Sequence, residues 1–221
     1  MPVRAVVFDA YGTLFDVTAA VRRHDAAVGP RAAELSALWR QRHLEYSWTL
    51  TLMGRYQPFW ELAEQALDTA LGLTGVDRAL KPRLLAAYRT LDAYPEVAGM
   101  LARLRAGGLA TAILSNGTPD MLADALAASG LADRFDHVLS VDAVRLYKPR
   151  PEVYALATAA LGAAGEEIAF VSSNRWDIAG AAAFGFRPVW VNRSGAPAEY
   201  DGLDPVATLS GLDALPDLLL G

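Results

Sequence analysis

Apolar residues along the chain fall into two rhythms. Residues 5–8, Ala-Val-Val-Phe, make a short continuous run, the pattern of a strand covered on both faces of a parallel sheet. Residues 16–93 repeat instead at helical spacing. A long segment beginning at Pro30 carries Leu35, Leu38, Trp39, Tyr46 and Leu52. A second, with Phe59, Leu62, Ala63, Ala66, Leu67, Ala70 and Leu71, keeps i, i+3, i+4, i+7 order up to Gly72, where it is expected to stop. Leu80, Leu84, Leu85, Tyr88 and Leu91 form a third stripe, and no strand pattern interrupts the block.

From about Tyr94 helix and strand alternate. A helix over 95–106 stops at Gly107-Gly108, and a strand over 109–114 runs into Ser115-Asn116-Gly117. Thr118-Pro119-Asp120 supplies an N-cap and a first-turn proline for a helix ending near Gly130. Strands over 138–141, 168–171 and 188–191, a helix over 151–161, a helix opened by Ser172-Ser173-Asn174 and a leucine-rich terminal helix complete the series. Such alternation predicts an α/β fold, with a doubly wound, mostly parallel, Rossmann-like sheet and helices on both faces. One right-handed crossover needs only one helix, so the all-helical block reads as an insertion. The expected division is an α/β core over 1–15 and 94–221 and a helical cap domain over 16–93.

Composition narrows the classes of function. A chain of 221 residues that is 53% apolar and 20% charged has ample core and is not disordered. Its net charge of −5 offers no broad attraction for nucleic acid or anionic membrane. The absence of cysteine excludes disulfides and thiolate chemistry. The N-terminal run does not read as a charged-then-apolar signal, because Asp9 and Gly12 interrupt it, and no apolar stretch approaches the ~20 residues that span a bilayer; a cytoplasmic protein is the expectation. The basic residues are two lysines, Lys81 and Lys148, against eighteen arginines.

The chemistry gathers where strands end. Asp9 follows the first strand directly, ahead of a Gly12-Thr13 turn. Alone it reads as a turn residue or helix cap. Ionised at the end of a buried strand, however, it needs partners, and strand ends of open α/β sheets are where ligands bind. Ser115-Asn116, Lys148 and the run Ser172 to Asp177 follow later strands and can converge on the same edge. Lys148 is a compact ammonium able to lie beside Asp9 and hold it ionised.

The stretch Asp-Ala-Tyr-Gly-Thr-Leu-Phe-Asp from Asp9 to Asp16, with the later Ser/Thr, Lys and Asp positions in order, resembles the haloacid dehalogenase superfamily, and within it the L-2-haloacid dehalogenases. The resemblance covers nearly the whole chain. Most members of the superfamily are magnesium-dependent phosphatases with acids where this chain has Tyr11 and Ser173. Those two departures argue against metal and phosphate, because Mg²⁺ favours carboxylates among its oxygen ligands. The resemblance implies hydrolysis of short-chain L-2-haloacids to D-2-hydroxyacids, with Asp9 as the nucleophile and no cofactor. It implies Arg40 and Asn116 as halide binders, Phe59 and Trp176 as apolar walls, and Tyr11, Gln41 and Leu44 as pocket lining. Ser115 would hold the substrate carboxylate. Asn174 and Asp177 would activate water, with Ser172 and Lys148 assisting and Thr13 and Tyr154 in support. It also implies a homodimer. The rival expectations are a magnesium-dependent phosphomonoesterase using Asp9, and a silent binding protein, whose mark would be the loss of Asp9, Lys148 or Asp177; all three are present.

Overall fold

The computed structural model describes residues 2–221. Six strands, β1 Ala5–Phe8, β2 Ala110–Ser115, β3 His137–Ser140, β4 Ile168–Ser172, β5 Arg187–Val191 and β6 Ala207–Leu209, form one sheet in the order β3-β2-β1-β4-β5-β6. Every neighbouring pair is parallel. The order reverses at β1, whose neighbours β2 and β4 leave in opposite directions, so the crevice at the end of β1 is the switch point at which such sheets bind ligands. β1 and β4 are buried along their whole length, as their unbroken apolar runs require.

The helices are α1 Ala19–Arg22, α2 Asp25–Val28, α3 Ala32–Leu52, α4 Phe59–Thr74, α5 Lys81–Arg89, α6 Val97–Ala106, α7 Pro119–Ala128, α8 Pro151–Leu161, α9 Arg175–Phe184 and α10 Leu215–Leu220. α6 packs on β2 and α10, while α8 packs on α9, which covers β4 and β5. Right-handed crossovers in opposite directions place these two groups on opposite faces. α3 and α4 lie antiparallel, pinned by Trp39 Nε1–H to the Ala63 carbonyl at 2.9 Å and by His43 Nε2 to that of Phe59 at 2.9 Å. The chain leaves and re-enters the sheet layer through one neck. The Asp16 amide donates to the Asp92 carbonyl at 3.0 Å, and the Tyr94 amide to that of Leu14 at 2.9 Å.

Two details differ from the sequence pattern. α4 does not stop at Gly72 but runs to Thr74 and is closed by Gly75 at φ +68°. A glycine inside a helix costs only about 1 kcal/mol, whereas the left-handed closing position requires one. The three-residue edge strand β6 has no periodicity long enough to detect.

Candidate active site

The register explains the meeting of distant residues. Phe8 pairs with Val171, so Asp9, one residue on, lies level with Ser172 at the carboxyl end of the sheet. The turn after Asp9 wraps the Ala10 carbonyl, which accepts from the Thr13, Leu14 and Phe15 amides. Gly12 sits at φ +92°, a conformation few other residues tolerate. That turn returns the Thr13 hydroxyl to Asp9 Oδ2 at 3.0 Å. The same oxygen accepts from Ser172 Oγ at 3.3 Å and from Asn174 Nδ2 at 2.8 Å. Asp9 Oδ1 accepts from Lys148 Nζ at 3.2 Å. One carboxylate oxygen is therefore held by three core donors and the other by a single ammonium.

Lys148 is shared. Its Nζ also donates to Asp177 Oδ2 at 2.8 Å, and Tyr154 donates to Asp177 Oδ1 at 2.7 Å. All of these groups are buried. Burial alone would depress the ammonium, but Asp177 and Asp9 outweigh it and raise the Lys148 pKa above the ordinary value. Asp177 moves up to about 6, pushed by its own burial and by Asp9 and held back by Lys148. Lys148 is thus a fixed cation, and Asp177 an acid that titrates just below neutrality.

Arg40, from the middle of α3, reaches this group across the neck. Its Nη2 donates to the Tyr11 carbonyl at 3.1 Å and to Asn174 Oδ1 at 3.2 Å, which also turns the Asn174 amide nitrogen toward Asp9. Asn116 Oδ1 accepts from the Lys148 amide at 3.2 Å. The Ser115 hydroxyl accepts from the Gly117 amide at 3.0 Å, shaping the turn after β2. Tyr11 lies against that turn so closely that a Cβ on Gly117 would fall 2.7 Å from its ring. Phe59 stacks on His43 at 3.7 Å and stands 6.5 Å from Tyr11. Trp176 meets Trp48 edge-on at 5.3 Å, beside a cavity of about 520 Å³ that reaches Lys148. Leu44 is buried in α3, whereas Gln41 is exposed and makes no hydrogen bond to the network.

The model of the haloacid dehalogenase-like hydrolases matches residues 3–185 of this sequence. The chain belongs to the haloacid dehalogenase-like hydrolases. It is 53% identical to (S)-2-haloacid dehalogenase 1 of Pseudomonas sp. strain CBS-3, over 99% of this chain and 97% of that one. With (S)-2-haloacid dehalogenase of Xanthobacter autotrophicus it shares 47% identity over 86% of this chain and 76% of that one. A solved structure of the L-2-haloacid dehalogenase from Xanthobacter autotrophicus with chloropropionic acid covalently bound superposes with a TM-score of 0.90, at 41% identity and 99% coverage of both chains.

In this hydrolase the donors at the switch point do not fit Mg²⁺. Tyr11 and Ser173 occupy the positions read above as lost acids, and the Ser173 hydroxyl is spent on the Gly12 carbonyl at 2.8 Å. Among the described residues no three His, Asp or Glu side chains converge as metal ligands. The two carboxylates present are bridged by an ammonium rather than set around an octahedral space.

Two contributors escaped the sequence reading. Arg193, just past β5, donates to the Thr13 carbonyl at 3.3 Å and to Glu96 at 2.7 Å, with its guanidinium 3.8 Å from the centre of the Tyr94 ring. It braces the turn that carries Thr13, and its place at a strand end was the available signal. His43 stands on the inward face of α3 one turn from Arg40, and burial depresses its pKa to about 3. It is therefore a neutral ring supporting Phe59, and nothing in its sequence context separated it from other helix residues.

Proposed function

We propose that this hydrolase cleaves carbon–halide bonds, converting short-chain L-2-haloacids to D-2-hydroxyacids and halide through an aspartyl ester on Asp9. The observation that carries the reading is the unequal treatment of the two Asp9 oxygens. Oδ1, held only by Lys148, is the freer nucleophile. Its lone pair forms the bond to C2 from the side opposite the halogen, and the C2–halogen pair leaves with the halide toward Arg40 and Asn116. Configuration inverts. Oδ2 then becomes the ester carbonyl oxygen, among the Thr13, Ser172 and Asn174 donors. That set stabilises the charge it acquires when water attacks Cγ. Asp177 takes one proton from that water, and the Cγ–Oδ1 bond breaks. Asp177 returns the proton to the departing alkoxide to give the hydroxy acid, and the Asp9 acid left behind releases the water's second proton to solvent. Covalent catalysis thus divides one hard substitution into two easier steps.

Supporting roles follow from the same placement. Ser115 and nearby amides receive the substrate carboxylate, Tyr154 holds Asp177, and Tyr11, Leu44, Phe59 and Trp176 exclude water, with Gln41 at the rim. Residues 16–93 act as a cap that carries Arg40 to the core. The reading also takes the protein as a cytoplasmic homodimer. Exposed Leu52 and Met53 at the end of α3 offer apolar surface to a second copy, and no helix among the described residues is long and apolar enough to cross a membrane.

The test is incubation with L-2-chloropropionate in EDTA, measuring chloride and lactate. Stoichiometric chloride and D-lactate are expected, with Asp9→Asn inactive. In a single turnover in H₂¹⁸O the label should enter Asp9 rather than lactate, because the ester breaks at Cγ. Label in the lactate would mean direct attack by water, and phosphate release from a phosphomonoester that requires Mg²⁺ would favour the rival chemistry.

A further inference from the structure

Tyr88, in the last turn of α5, belongs to an apolar stripe in the sequence yet stands against the reacting centre. It is 4% exposed. Its ring stacks on Tyr11 at 5.7 Å and packs on Trp39 at 4.9 Å, and those two faces fix where its hydroxyl lies. The hydroxyl lies where the Arg40 guanidinium can donate to its oxygen, and it feels the charge of Asp9, but among the described residues its own hydrogen meets no acceptor. A guanidinium offers only donors, so Arg40 cannot accept the phenolic hydrogen. Burial raises the Tyr88 pKa, which keeps that hydrogen in place. Tyr88, Arg40 and His43 also line a cavity of about 660 Å³ against α1–α3. A buried O–H without an acceptor is costly in a resting protein. Beside a guanidinium, and near an aspartate that expels an anion, it has an evident acceptor.

Resting on the function proposed above, we propose that Tyr88 donates a hydrogen bond to the halide as it leaves C2, as a third donor with Arg40 and Asn116. Asp9 Oδ1 supplies the electron pair of the new bond, the halogen departs with the old one, and Tyr88 keeps its proton throughout. Chloride accepts hydrogen bonds more strongly than bromide and is the poorer leaving group, so it depends more on this donor.

Tyr88→Phe keeps the ring and removes only the hydroxyl. It should lower kcat/KM about tenfold on L-2-chloropropionate, the size of one hydrogen bond to an anion, and only about two- to threefold on L-2-bromopropionate. Equal losses on both substrates, or none, would overturn the inference while leaving the proposed function standing. Wild-type protein inert toward both would overturn the function, and the inference with it. Crystals of the unaltered protein soaked in bromide give a second reading that does not depend on how the variant folds. An anomalous peak within hydrogen-bond reach of the Tyr88 hydroxyl is expected, and bromide bound near Arg40 but out of that reach would overturn the inference.

Discussion

An ammonium shared between two buried carboxylates can neither be removed nor moved cheaply. Lys148 neutralises one of the two charges it touches, so its loss would leave Asp9 and Asp177 facing each other unpaired. Lys148→Met should cost about 3–5 kcal/mol in urea unfolding and abolish turnover. A loss of turnover at unchanged stability would mean that the ammonium serves the chemistry alone. The proposed role of Asp177 as the base fixes the expected pH dependence. Its native pKa of about 6 lies above the ordinary 3.8. The folded protein therefore binds the extra proton between these values, and the Asp177 contribution to stability falls as pH rises from about 4 to 6. Activity should run the other way: ester hydrolysis needs the ionised carboxylate, so kcat should climb through about pH 6 and then level. Lys148, whose pKa is raised, stays charged across that range. A kcat flat from pH 5 to 7 would count against Asp177 as the base.

At the scale of elements, the site depends on how closely α9 and α8 approach. Gly180 in α9 has no side chain because a Cβ there would strike the Tyr154 hydroxyl and fall 2.6 Å from Pro149 Cβ. Gly180→Ala should therefore displace Tyr154 from Asp177, cost about 1–3 kcal/mol of stability, and lower kcat with little change in KM. Pairing it with Tyr154→Phe in a double-mutant cycle should give far less than the sum of the two losses, and simple additivity would show that the glycine acts elsewhere. The elements themselves were largely legible in the chain. β1 and β4 announce themselves as unbroken apolar runs, and α4 by its stripe, since both patterns arise from burial of one segment against any apolar neighbour. β6 was not legible: three half-exposed residues are held in the sheet only because β5 offers an edge.

Across the whole molecule, the helical insertion is tied to the helices and loops around the sheet by contacts away from Asp9. Arg89 at the end of α5 bonds Asp120 at 2.8 Å and Asp124 at 2.9 Å on α7, with its guanidinium 4.0 Å from the centre of the Trp60 ring. Tyr56, in the loop after α3, bonds Asp142, and Tyr147 donates to the Gln57 carbonyl at 2.5 Å. These ties hold α3 where Arg40 meets Asn174. Arg89→Ala removes a partly exposed pair and should cost under about 1 kcal/mol in global stability. It should nevertheless speed amide exchange in α5 relative to β1 and β4, and raise KM for the haloacid. Unchanged exchange in α5 would show that the neck alone positions the helical insertion.

The sequence by itself determined the α/β core, the helical insertion, and the residue types able to attack and to carry charge, because each is written in local patterning and in the contents of strand-end loops. It also excluded thiol chemistry and left a donor set poor in acids. Only the tertiary structure decided which oxygen of Asp9 is held by a single donor, that Asn174 links Arg40 to Asp9, that Arg193 braces the Thr13 turn, and that Tyr88 brings an unused hydroxyl to the same place. Those facts depend on parallel register and on a helix folding back across a neck. Such contacts join residues from about fifty to well over a hundred positions apart, and local patterning can mark the strand-end loops but not which atoms in them meet.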